Sequence, residues 1–213
     1  MKKFKEIKAF LFDLDGTLID TDALIIGSYE AAFKTFRPDY KLTEEEKCAF
    51  LGPTLKSMFA KYFKEDFETV LKVYRSFTNS HAKELVTIYP NALEAIKYLK
   101  SKGYIVGIIT SRFTSSAEFM IDELSLNGVF DFLIGLDDVK NPKPDPEGIN
   151  IILKPYNLKP NQAIYVGDNL SDYLAGKNAG VYTSLVSWSR GRNNRELNPD
   201  LLIENYSLLK EVF

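Results

Sequence analysis

From Tyr104 onward the chain alternates short apolar runs with helical patterns: Tyr104-Ile-Val-Gly-Ile-Ile109, Phe130-Asp-Phe-Leu-Ile134, Ala163-Ile-Tyr-Val166 and Val181 to Val186. Runs this short, with little polar alternation, are strands buried on both faces. Their separation by helix-length segments is the mark of βαβ units in a parallel sheet. Ile7 to Phe12 supplies a further strand. Between it and Tyr104 no comparable run occurs, and the chain reads instead as helices broken at Arg37-Pro38-Asp39 and Leu51-Gly52-Pro53. Asn91 to Lys102 reads as the helix that re-enters the sheet layer, with Pro90 before it and Gly103 as its stop. The expected architecture is therefore α/β: a Rossmann-like parallel-sheet core over 1–17 and 86–213, with an all-helical cap domain inserted over 18–85. The hinges are expected near Leu18–Asp22 and Leu85–Pro90.

With 45% hydrophobic and 26% charged residues, the chain has material for a core and a solvated surface. Lys and Arg number 27 against 29 Asp and Glu, so no basic excess argues for nucleic acid. Cys48 is alone, which excludes an internal disulfide and a Cys-rich zinc site. Met1-Lys2-Lys3-Phe4-Lys5 resembles the start of a signal peptide, but the apolar run Ala9 to Phe12 ends at Asp13, too short for a secretory or membrane segment. A cytoplasmic protein with no nucleic-acid and no membrane partner is expected, as a monomer or homodimer.

In open parallel sheets ligands gather at the carboxyl ends of strands, so polar residues directly after apolar runs have the first claim to function. Four such places stand out: Asp13-Leu-Asp15-Gly-Thr17, Thr110-Ser111, Lys143-Pro144-Asp145-Pro146, and Gly167-Asp168 with Asp172. Each has an ordinary use as well. Asx residues cap helices and start turns, a threonine can cap the next helix, and a loop lysine is usually solvated. Two carboxylates as close as Asp13 and Asp15 repel one another, however, unless a cation or a phosphate-handling reaction employs them. Asp168 and Asp172, four apart at a helix start, can point at one place and suit a hard, oxygen-ligated metal. These acids, with a hydroxyl and a lysine, at four strand ends are what a Mg²⁺-phosphate site requires.

These segments resemble the haloacid dehalogenase superfamily. Phe12-Asp13-Leu-Asp15-Gly-Thr-Leu18 is similar to that family's first motif, Ile108-Ile109-Thr110-Ser111 to the second, and Lys143-Pro144-x-Pro146 to the third. Gly167-Asp168-x-x-x-Asp172-x-x-Ala175-Gly-x-Asn178-Ala-Gly180 is similar to the fourth. The ordered set spans about Phe12 to Gly180, and a helical insert after the first motif resembles the family's C1-type cap. The resemblance implies that Asp13 is a nucleophile forming an aspartyl-phosphate and that Asp15 is the acid-base residue, neutral at first with a raised pKa. It implies Mg²⁺ held by Asp13, the backbone carbonyl of Asp15 and Asp168, with Asp172 close by or reaching it through water. Thr110 and Ser111 would bind phosphoryl oxygens, and Lys143 would set a positive charge beside phosphate and Asp13. Asn141-Pro142 departs from the more flexible pair of many relatives but keeps the lysine.

Within that family, a 2-haloacid dehalogenase has no use for the metal or for Asp15. A β-phosphoglucomutase-like activity calls for a hinge histidine where Ile25 stands, and the chain's single histidine, His81, falls in the insert as a solvated helix residue. A non-catalytic phosphate-binding module would be favoured by loss of Asp13 or Asp15, and both are present. The substrate implied is a small phosphorylated metabolite. Leu51-Gly52-Pro53-x-Leu55 and Val186-Ser-Trp188 resemble the phosphoglycolate phosphatase branch, which includes pyrophosphatases and nucleotidases. The leading candidate is 2-phosphoglycolate, with Lys56 and Arg75 as cap cations for a second anionic group. Trp188, Arg190 and Arg192 either border the entrance or contact a partner, or are, as is the commoner case, a packed ring and solvated arginines.

Overall fold

Four consecutive apolar residues, Ala9-Phe-Leu-Phe12, form β1, which is buried along its whole length. The structure is a computed structural model and describes residues 2–188 and 197–213; Arg190 and Arg192 lie outside them. After β1 (Ala9–Phe12) come β2 (Ile19–Asp20), α1 (Asp22–Phe36), α2 (Glu44–Ala49), α3 (Leu55–Tyr62), α4 (Phe67–Leu85) and β3 (Thr87–Ile88). The chain continues through α5 (Ala92–Ser101), β4 (Ile105–Ile109), α6 (Thr114–Glu123), β5 (Phe132–Ile134), α7 (Glu147–Leu153) and β6 (Ala163–Gly167). It ends with α8 (Leu170–Ala179), β7 (Tyr182–Val186), β8 (Leu201–Ile203) and α9 (Leu208–Val212).

Among the described residues, six strands make one sheet in the order β5-β4-β1-β6-β7-β8. Every neighbouring pair is parallel, as the alternation of apolar runs and helices leads one to expect. The chain winds outward from β1 first toward β4 and β5 and then toward β6 to β8, so the topological switch point lies at the carboxyl end of β1. The register pairs Phe12 with Ile108 on one side and with Val166 on the other. The segments after these strands, beginning at Asp13, Thr110 and Asp168, therefore emerge side by side.

Alternate residues of β1 serve the two faces. Ala9 and Leu11 pack with Ile149, Ile152, Leu153, Tyr165 and Ala175. Phe10 meets the rings of Tyr104 and Phe213, and Phe12 that of Tyr206. Both phenylalanine rings are fully buried, each contributing about 1.5–3 kcal/mol, so β1 is fixed from both sides. α5 is bounded by left-handed residues, Asn91 at φ 64° and Gly103 at φ 85°, the latter being the stop read from the sequence.

Contacts divide the chain into two compact units, 1–19 with 88–213, and 20–87. The second is helical and has its own core, in which Tyr29 and Phe33 of α1 and Val70, Leu71 and Tyr74 of α4 enclose Phe50, Met58 and Phe59. Asp66 starts α4 by accepting from the Thr69 amide at 3.0 Å, a cap worth about 1 kcal/mol. Ser28 and Thr78 join α1 to α4 at 2.9 Å in that interior. His81, expected as a solvated residue, is half-buried: its ring stacks on Phe77 with centroids 4.0 Å apart, and its Nδ1 lies 3.0 Å from the Phe77 carbonyl. Lys56 and Arg75 are exposed on this unit. In the core unit Trp188 packs against Tyr89 and Tyr206.

Candidate active site

Asp13 follows β1 without a break; its amide donates to the Val166 carbonyl at 2.8 Å, which prolongs the ladder by one residue and sets the carboxylate at the switch point. The residue is 4% exposed. Lys143 reaches it from the loop before α7: Nζ donates to Asp13 Oδ1 at 2.8 Å, to Asp172 Oδ1 at 2.6 Å and to Tyr165 Oη at 3.1 Å. An ammonium has three protons, and these three bonds use them. Burial by itself would push the Lys143 ammonium down, but Asp13 and Asp172 outweigh it and hold it well above its usual range. Asp13 is raised as well, to about 7, chiefly through burial, against the pull of Lys143 and with Asp172 and Asp15 adding to the rise. The site thus carries more acid than its cation balances.

Asp172 stands in the first turn of α8. Its Oδ2 accepts from the amides of Asp168 and Asn169 at 3.1 and 3.2 Å, while its Oδ1 accepts from Lys143. Asn169 caps the same helix, with Oδ1 accepting from the Ser171 amide at 2.8 Å. Asn169 also steadies Asp168 through Nδ2 at 2.9 Å. One carboxylate oxygen from each of Asp13, Asp168 and Asp172 lies within 4.8 Å of the other two, all three residues being buried. Gly167 makes this approach possible, since a Cβ there would stand 2.2 Å from Asp172 Cβ and 2.4 Å from its Cγ. Gly167→Ala is therefore expected to cost roughly 1–3 kcal/mol and to lower turnover in parallel. Urea unfolding and a rate assay on the same preparation would check this, and an alanine variant equal to the parent in both would contradict it.

Thr110 is buried at the end of β4 and its Oγ1 accepts from the Arg112 amide at 3.2 Å; Ser111 beside it is half-buried. The Arg112 guanidinium donates to Asp15 from Nε at 3.0 Å and also from Nη2. A carboxyl accepting on both oxygens from a guanidinium is the ionised form. Asp15, expected to begin as a neutral acid, is thus paired here as a carboxylate, and delivering a proton from it requires the pair to open.

Asp13, Lys143, Asp168 and Asp172 form one hydrogen-bonded and ligand-spaced cluster, and Thr110, Ser111 and Asp15 emerge from the neighbouring strand ends. Sequence reasoning missed Arg112, Tyr165 and Asn169. Tyr165 gave a signal, as the one residue with a polar tip inside a buried apolar run. Burial pushes its phenol well above the usual range. It therefore keeps its proton, with the Ile109 carbonyl at 3.0 Å and Asp172 Oδ1 at 3.2 Å as acceptors.

A doubly wound parallel sheet with a buried carboxylate, a lysine and a hydroxyl gathered at its switch point defines an α/β enzyme core. The chain belongs to the haloacid dehalogenase-like hydrolase family, whose sequence profile matches residues 10–186, and it is an enzyme of that family's phosphatase kind. It is 38% identical over 210 residues to the pyrophosphatase PpaX of Bacillus velezensis, covering 98% of this chain and 97% of that one. Among solved structures it resembles a haloacid dehalogenase-like hydrolase from Streptococcus pneumoniae, with a TM-score of 0.82, 26% identity, and coverage of 97% and 98%. It also shares the fold of a predicted phosphoglycolate phosphatase from Haemophilus somnus, with a TM-score of 0.86, 19% identity, and 98% of each chain covered. Among the described residues no helix is long and apolar enough to cross a membrane.

Proposed function

We propose that this chain is a Mg²⁺-dependent phosphatase that hydrolyses small phosphorylated metabolites through an aspartyl-phosphate on Asp13, with inorganic pyrophosphate as its leading substrate. The observation that carries the chemistry is the buried Asp13 carboxylate at the switch point, 2.8 Å from Lys143 Nζ and grouped with Asp168 and Asp172.

The donor set fits Mg²⁺, being hard carboxylate oxygens in a closed, buried group. Asp13 and Asp168 would hold the ion together with the backbone carbonyl of Asp15. Both Asp172 oxygens are engaged by Lys143 and backbone amides, so Asp172 would serve first to fix Lys143 beside these ligands. When bound, the ion supplies positive charge that draws the phosphoryl oxygens in and offsets a carboxylate–phosphate repulsion of about 4 kcal/mol per charge pair at roughly 4 Å.

Asp13 would attack phosphorus, and the leaving group would depart on the opposite side. Lys143 keeps the nucleophile oriented and charged. Thr110, whose oxygen already accepts the Arg112 amide, has its hydroxyl proton for a phosphoryl oxygen, and the Ser111 amide offers a second donor. Asp15 would then take the proton of the water that hydrolyses the aspartyl-phosphate. A cytoplasmic setting accords with the free, exposed Cys48.

The substrate favoured from sequence, 2-phosphoglycolate, rests on short patterns and on structural likeness at 19% identity. The pyrophosphatase relatives, at 38% identity over nearly the whole chain, favour the alternative. Phosphate release should be measured from pyrophosphate, 2-phosphoglycolate, nucleoside monophosphates and sugar phosphates below saturation, with Mg²⁺ and with EDTA. Pyrophosphate is expected to give the highest kcat/KM, and EDTA to abolish turnover of all of them. A tenfold preference for another ester would move the substrate assignment, and full activity after chelation would remove the metal from the account.

A further inference from the structure

Arg112 is a cation beside the site that the chemistry above leaves without a task. It follows Thr110-Ser111 directly and opens the loop into α6. Its backbone is fixed on both sides, the amide donating to Thr110 Oγ1 at 3.2 Å and the carbonyl accepting from the Leu136 amide at 2.8 Å. Its side chain is 10% exposed. Nη1 is anchored on Ser116 Oγ at 3.1 Å, and the Nε–Nη2 edge is laid along the Asp15 carboxylate. That edge is a rigid pair of parallel donors which fits two oxygens of a carboxylate or of a phosphate equally well.

In an in-line displacement the leaving oxygen departs within reach of the acid-base carboxylate. A guanidinium bonded to Asp15 through two nitrogens therefore stands on the departing side of the phosphorus. We propose that Arg112 receives the leaving phosphate of a diphosphate substrate, exchanging its bonds to Asp15 for two oxygens of the departing group, and so selects substrates whose leaving group is itself a phosphate. The inference rests on the phosphatase reading and gives it a substrate class. In the first step a bond forms between Asp13 Oδ and the retained phosphorus. The bond from that phosphorus to the bridging oxygen breaks, and its electron pair leaves with that oxygen into the phosphate on Arg112. In the second step water bonds to the retained phosphorus while the bond from Asp13 Oδ to that phosphorus breaks and its electron pair returns to Asp13; the water proton passes to the Asp15 carboxylate, which releases it to solvent before pairing with Arg112 again. An aryl or alkyl ester carries no phosphate oxygens on the leaving side for the fork to grip.

The test compares kcat/KM for pyrophosphate and for p-nitrophenyl phosphate, with saturating Mg²⁺, in wild type, Arg112→Met and Arg112→Lys. Both substrates will respond to a change beside Asp15, so the readout is their ratio. Arg112→Met is expected to lower the pyrophosphate-to-aryl ratio at least about thirtyfold. Arg112→Lys, which keeps the charge without the fork, is expected to fall between. A ratio that stays within about twofold of wild type in Arg112→Met overturns the proposal and leaves Arg112 as a positioning residue for Asp15. If the methionine variant does not fold, the lysine variant decides by the same ratio. A wild-type enzyme that hydrolyses the aryl ester but not pyrophosphate also overturns the proposal while the phosphatase reading stands, whereas turnover of neither overturns both.

Discussion

Asp13→Asn is expected to lower turnover of every phosphate ester by at least about 10⁴-fold while the protein stays folded. The amide keeps the volume and the hydrogen bond to Lys143 but cannot attack phosphorus. Its effect on stability has a sign that depends on pH. Burial first, then Asp172 and Asp15, push Asp13 from its ordinary 3.8 to about 7 despite Lys143. Between those values the folded chain binds the proton that the unfolded chain has released. The stability this group contributes is therefore full below about pH 4 and lost as pH rises through 7. In EDTA above pH 7 the wild type carries a buried charge that the asparagine variant lacks. The variant's melting temperature should thus exceed that of wild type by more at pH 8 than at pH 5. Thermal denaturation at the two values checks this, and a variant that gains nothing on going to pH 8 would contradict the environment described for Asp13.

Lys143→Ala is expected to be the most destabilising single change at the site. It removes three hydrogen bonds at once and leaves Asp13 and Asp172 buried without their cation, with side chains 6% and 1% exposed. Breaking a buried pair from one side costs about 3–5 kcal/mol, because the stranded charge remains. Turnover should fall at least about 100-fold as well, since the charge that orients the nucleophile is gone. Urea unfolding at pH 8 reads the stability, and a loss under about 1 kcal/mol would mean that the buried pair is not what holds the site together.

Much of this was legible in the sequence because parallel strands buried on both faces cannot hide: Ala9 to Phe12, Ile105 to Ile109 and Ala163 to Val166 are apolar runs with almost no polar relief, and Tyr182 to Val186 is interrupted only by the small hydroxyl residues Thr183 and Ser184. β8 was not legible. It is three residues long, and Leu202 in its middle is 44% exposed at the sheet edge, so neither length nor pattern sets Leu201-Leu-Ile203 apart from a loop. β2 and β3, of two residues each, are shorter still. The acidic residues stood out because they follow strand ends and because close carboxylates demand a reason. Arg112 did not, since its meaning lies in a pairing with Asp15 across 97 residues, and an arginine after a strand reads as an ordinary solvated charge. Asp172 read as a partner of Asp168 from its spacing alone. Only the three-dimensional arrangement gives its Oδ1 to Lys143 and its Oδ2 to backbone amides.

The central claim is that the phosphoryl group passes through Asp13, and trapping that intermediate tests it most directly. Wild-type enzyme mixed with Mg²⁺ and excess pyrophosphate, quenched in acid within the first turnover and reduced with borohydride, should carry homoserine in place of aspartate at position 13. Peptide mass spectrometry would find it there, and the signal should be absent when EDTA is added before substrate. Reduction at a different carboxylate, or an unmodified Asp13 at every time point across a turnover that demonstrably releases phosphate, would contradict the account.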